Sequence, residues 1–155
     1  MKVWAERMDE GYLTTDFRDV TISINFSIGG FFDGYKELTI ERNDNGAIVS
    51  RNRTLEMVTK IEGKLPSRNR GAGEDFFGKE QINGSEWENI LDTLYNKIHI
   101  NGWEKKYDDN NILDGTQWHL IIGLTDDRRV SYYGSNQYPP HWNKLLMLFR
   151  RYMEI

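Results

Sequence analysis

The sequence predicts an α+β fold, a mostly antiparallel β-sheet covered by two amphipathic helices at about 85–100 and 140–153. Three patterns point there. Apolar and polar residues alternate strictly over 19–28 and again over 117–124; apolar residues recur at spacings of three and four after Ser85 and after Pro140; and clusters of Asn, Asp and Gly divide the strand-like stretches. Runs of strands with two separated helices suit an antiparallel sheet with helices on one face. At 155 residues the chain fits one domain with one core, because two cores would leave each half near the size where burial becomes marginal.

In the first strand Val20, Ile22, Ile24, Phe26 and Ile28 take one face while Thr21, Ser23, Asn25 and Ser27 take the other. Gly29-Gly30 breaks the alternation, and Phe31-Phe32-Asp33-Gly34 leads into a second strand over 35–42 with Leu38 and Ile40 inward. Asn43-Asp44-Asn45-Gly46 is a hairpin turn, since Asn and Gly tolerate the positive φ that tight turns need. The returning strand covers 47–53, and the pattern over 54–61 fits either strand or helix, with strand preferred. Residues 63–75 hold three glycines, a proline and charged side chains with almost nothing apolar, the composition of a surface loop.

Ser85-Glu86-Trp87-Glu88 reads as a capping box that opens a helix, with Trp87, Ile90, Leu91, Leu94, Tyr95 and Ile98 as its apolar stripe and Asn101-Gly102 as its end. A short extended segment over 103–107 and a turn at Asp108-Asp109-Asn110-Asn111 follow. Trp118, Leu120, Ile122 and Leu124 then form the buried face of a strand, Asp126-Asp127 turns it, and 129–133 returns as the second arm of a central hairpin. Pro139-Pro140 suits the first turn of the last helix, whose stripe is Trp142, Leu145, Leu146, Phe149 and Met153, widened by Leu148 and Tyr152.

Composition narrows the function classes. The first residues lack the apolar run of a signal peptide, no stretch approaches the length of a membrane span, and cysteine is absent, so the expected setting is cytoplasmic, with no disulfide, thiolate catalysis or thiolate metal site. A net charge of −4 argues against a nonspecific grip on nucleic acid and favours a protein partner or a small molecule.

No motif assigns a reaction. Residues 73–80 nearly spell a phosphate-binding loop, but Glu80 stands where a Ser or Thr would bind magnesium, and Glu74 and Asp75 would repel phosphate. The acidic stretch from Asp108 to Asp114 lacks the glycine and the acidic residue that an EF-hand loop needs at its sixth and twelfth positions. His99, His119 and His141 are too scattered for a linear metal motif, and no metal or cofactor is expected. A site assembled by folding from His119 or His141 with Asp114, Asp126 and Ser135 is the enzymatic alternative, a small hydrolase built near the central hairpin. Ser135 lacks a nucleophile-elbow context and carries no assignment of its own.

Two binding surfaces stand out. Arg51 and Arg53 on the third strand, with Lys64, Arg68 and Arg70 on the 63–75 loop, make the densest basic zone, suited to an acidic partner surface or, as a further alternative, a nucleic-acid groove. Trp87, Trp118 and Trp142 fall on core stripes, whereas Trp4 and Trp103 with Tyr107, Tyr132 and Tyr138 are candidates for an exposed aromatic platform.

Asp114-Gly115-Thr116-x-Trp118, followed by Gly134-Ser135-Asn136-x-Tyr138-Pro139-x-x-Trp142, resembles a group of small bacterial proteins of Firmicutes type. The likeness runs from Trp103 onward, with an echo at Phe32-Asp33-Gly34-Tyr35. It implies a bacterial or phage-borne intracellular domain and supplies no catalytic residues, since no activity is established for that group. With no motif that assigns a reaction, and with a single core, a charged loop and spare aromatics, the expected function is a noncatalytic protein-binding domain of bacterial or mobile-element origin, an inhibitor or neutraliser of a larger protein.

Overall fold

The alternating segments form strands. A computed structural model describes residues 17–30, 34–54, 78–108 and 115–155. Within them β1 (Thr21–Gly30), β2 (Gly34–Asn43), β3 (Gly46–Thr54), β4 (Gly78–Asn83), β5 (Lys106–Asp108), β6 (Thr116–Leu124) and β7 (Arg129–Ser135) build one seven-stranded sheet in the order β4-β3-β2-β1-β6-β7-β5. All pairings are antiparallel except β5 with β7 at one edge. Helices α1 (Gly84–Asp92) and α2 (Trp142–Phe149) complete an α+β fold, and among the described residues no helix is long and apolar enough to cross a membrane.

Register aligns the apolar residues of different strands into rows. Val49, Ile40, Ile24, Ile122 and Val130 form one row; Leu38, Phe26, Leu120 and Tyr132 form the next. Slipping either neighbour of β1 by one residue would turn its whole apolar set to the other face, so the rows hold the register. Both helices pack on this face. Phe149 of α2 lies 4.9 Å from Phe26 and Trp142 lies 4.9 Å from Trp118, ring centre to ring centre, while Trp87, Ile90 and Leu91 of α1 join the same buried cluster as Ala47 and Ile82.

Some boundaries differ from expectation, each for a local reason. Gly29 and Gly30 continue β1 rather than break it, because Gly34 and Tyr35 pair with them across the β1–β2 hairpin. Asn83, not Ser85, caps α1: its Oδ1 accepts from the Glu86 backbone N–H at 2.8 Å, and Glu88 turns outward to Arg18 at 3.1 Å. The α-helix ends at Asp92 and widens into a π-turn, Thr93–Lys97, closed by Ile98 N–H to Thr93 O at 2.8 Å. Through it Leu94, Tyr95 and Ile98 stay buried, and the Tyr95 hydroxyl meets Thr21 Oγ1 at 2.7 Å. Proline does not open α2. His141 takes a left-handed backbone (φ 65) and the helix starts after it. Of the extended segment expected at 103–107 only Lys106 and Tyr107 are strand, in β5, and the β6–β7 hairpin lies beside the centre, which β1 occupies. The readings for 54–61 and 63–75 fall, except for Thr54, outside the described residues.

Candidate functional site

Where β2 begins and β3 ends, the core-facing positions turn from apolar to basic at Lys36 and Arg51. Arg51 is the register partner of Leu38, so it extends the second row with a cation, and Arg53 is the partner of Lys36 one step further on. The chain following α2 runs past this end of the sheet and brings Arg150, Arg151, Tyr152 and Met153. Lys36, Arg51, Arg150 and Arg151 thereby converge, with Glu37 and Glu154, around a groove of about 400 Å³ whose apolar lining includes Tyr152 and Met153.

These cations are held differently. The Arg51 Nε donates to the Tyr152 carbonyl and its Nη2 to Glu80 Oε1, so Arg51 ties β3 to β4 and to the segment after α2. Arg150 and Arg151 stand exposed, the former with its Nε 3.0 Å from the Ile155 carbonyl. Tyr152 is buried and donates its hydroxyl to Glu86 Oε2 at 2.5 Å; burial first, and then the Glu86 carboxylate, push its phenol far above its ordinary value. The groove thus has a buried floor and exposed cations, Arg150 and Arg151, at its rim, an arrangement that suits an anionic ligand with an apolar part.

The other residues singled out in the sequence are dispersed. Lys64, Arg68, Arg70, Asp114 and Trp4 lie outside the described residues, as does most of the stretch resembling a phosphate loop. Trp103 belongs to the core rather than to an exposed platform: it is buried, its ring meets Trp118 and Tyr132 edge-on, and its Nε1 donates to the Pro140 carbonyl at 3.1 Å. Tyr132 is buried too, and Tyr107 packs half-buried against Trp118. Tyr138 is exposed and leans on Trp142 at 4.9 Å between ring centres.

Of the residues of the hydrolase alternative, Asp114 lies outside the described residues, and the others do not meet as a catalytic set. His119 and Ser135 sit on the sheet face opposite the helices, on β6 and β7, but Tyr133 is the register partner of His119 and Gln117 that of Ser135. The His119 ring lies 4.8 Å from the Tyr133 ring, and partial burial lowers its pKa. Asp126 pairs with Arg128 at 3.0 Å in the β6–β7 turn. Nearby on that face Asn25 Nδ2 donates to Glu37 Oε2 and Thr39 Oγ1, both at 2.9 Å, and the Tyr35 hydroxyl donates to Gln117 at 3.1 Å, so its polar groups satisfy one another.

Folding does join two of the three histidines. His99 and His141, remote in the chain and each preceding a helical turn, place their rings 6.2 Å apart. Linear spacing carries no trace of this. Among the described residues no group of three or more His, Asp or Glu side chains gathers as a metal site. Comparison of the chain with protein-family models, curated proteins and solved structures gives no match.

Proposed function

We propose that the chain is a noncatalytic binding domain that seats an acidic segment of a larger protein in the groove between the β2–β3 end and the residues after α2. The bacterial or mobile-element origin and the role as inhibitor or neutraliser belong to the same reading; the origin rests on the resemblance of the last third, the role on a charged groove in a chain without a catalytic motif. The observation that carries it is the convergence of Lys36, Arg51, Arg150 and Arg151 over Tyr152 and Met153 in a chain whose net charge is −4. A local basic groove on an acidic molecule repels like molecules elsewhere and steers an acidic partner to one place. The apolar floor supplies burial, which surface charge pairs, worth about 0–1 kcal/mol each, do not.

The test is a labelled peptide of alternating Glu and Leu, followed by fluorescence anisotropy against the intact protein. Binding is expected, weakening with salt, and at least tenfold weaker in the Arg150→Glu/Arg151→Glu double variant, whose folding is checked by thermal melting. Equal binding by wild type and double variant, or none by the wild type, would sink the reading.

A further inference from the structure

We infer that His99 and His141 form a two-imidazole site for a divalent late-transition-metal ion, independent of the basic groove. Their ring centres are 6.2 Å apart and their planes inclined at 56°. A metal bound at about 2.0–2.1 Å by one nitrogen of each ring sets the ring centres roughly 4.5–5 Å apart at an octahedral or tetrahedral angle, so side-chain rotations that bring the two rings about 1–2 Å nearer would close the site. Among the described residues no hydrogen bond or ion pair engages either imidazole, and both side chains are exposed.

The backbone fixes the pair before any ion arrives. His99 (φ 61, ψ 52) and His141 (φ 65, ψ 24) both hold the left-handed conformation, which ordinary side chains avoid and which His, Asn and Asp tolerate better than most. The two turns are joined by the bond from Trp103 Nε1 to the Pro140 carbonyl, and Trp103 is itself clamped in the core by Trp118 and Tyr132. Buried neighbours and a hydrogen bond thus hold the turns in place, the kind of support that gives a metal pair useful affinity.

Two neutral nitrogen donors, with water completing the sphere, select the ion. Imidazole suits copper, nickel and zinc, whereas calcium and magnesium require oxygen ligands. Affinity should rise from zinc and nickel to copper, following the usual order for nitrogen sites.

Isothermal titration of the intact, tag-free protein with Ni²⁺, and separately with Mg²⁺, tests the site. The expected result is one Ni²⁺ per chain, no Mg²⁺, and at least tenfold weaker Ni²⁺ binding in both His99→Asn and His141→Asn, with His119→Asn unchanged. Asparagine keeps the left-handed backbone accessible, and an unchanged melting temperature without metal shows that each variant folds. Absence of Ni²⁺ uptake, uptake indifferent to either substitution, an equal loss in His119→Asn, or one ion shared by two chains would each overturn the inference.

Discussion

Trp118 shows how one side chain sets the demands on its neighbours. Its indole is fully buried, donates to the Gln137 carbonyl at 3.0 Å, and touches the rings of Trp103, Tyr107 and Trp142. Gly134, its partner on β7, leaves room for it: a Cβ there would lie 2.1 Å from the indole nitrogen. Gly134→Ala is therefore expected to destabilise the fold by roughly 1–3 kcal/mol, as overpacking of a tight core does, and to shift tryptophan fluorescence in the native state. A urea melt with no loss and an unchanged emission maximum would contradict that packing. Gly46 has a comparable role at the β2–β3 turn. Its φ of 140° and the Ile82 carbonyl, 2.2 Å from any added Cβ, leave no place for a side chain, while Asn45 N–H donates to Asn43 Oδ1 at 3.0 Å to close the turn.

Among the elements, α1 offers a direct test of which residue caps it. Asn83→Ala removes the acceptor for the Glu86 N–H and is expected to cost about 0.5–2 kcal/mol, whereas Ser85→Ala, at an exposed position inside the helix, should leave stability nearly unchanged. Equal losses in chemical denaturation would restore the Ser85 capping box. The error in the sequence reading has a physical source: Asn83 and Ser85 are both good caps, and only the backbone angles of Asn83 (φ −86, ψ 175) decide between them. Strands β1 and β6 were legible because their period of two repeats over many residues, and Phe26, Leu120 and Trp118 lie where the alternation puts them. The π-turn and the left-handed His141 were not, since no apolar period marks either; they accompany long-range contacts, Tyr95 with Thr21 and Trp103 with the Pro140 carbonyl. Of the candidate site, Arg51 was visible as part of a basic stretch of strand. Lys36, Arg150 and Arg151 join it only through pairing of β2 with β3 and the path of the chain after α2.

For the whole molecule, the buried tyrosines link stability to alkaline pH. Burial, reinforced by nearby Tyr95 and Tyr107, pushes the Tyr132 phenol to about 12, and burial raises Tyr95 against the opposing effect of its hydrogen bond with Thr21. An unfolded tyrosine ionises near 10, so the unfolded state loses its proton first as pH rises. Stability is then full below about pH 10 and falls as pH climbs toward 12. Urea midpoints between pH 8 and 11.5 should show this decline, with a shallower slope for Tyr132→Phe; a flat profile in the wild type would argue against the burial of these phenols.

The place of β1 also governs how the chain can assemble. Its two neighbours come from opposite regions of the sequence: β2 follows at once, whereas β6 arrives only after about a hundred residues have been made. Such distant pairing is slow, and until it happens Ile24 and Phe26 belong to a meander whose β1 edge is open, with no α2 above it. A nascent or truncated chain ending before Thr116 would carry that edge unprotected, so the domain depends on its last third to be kept from sticking to its own copies.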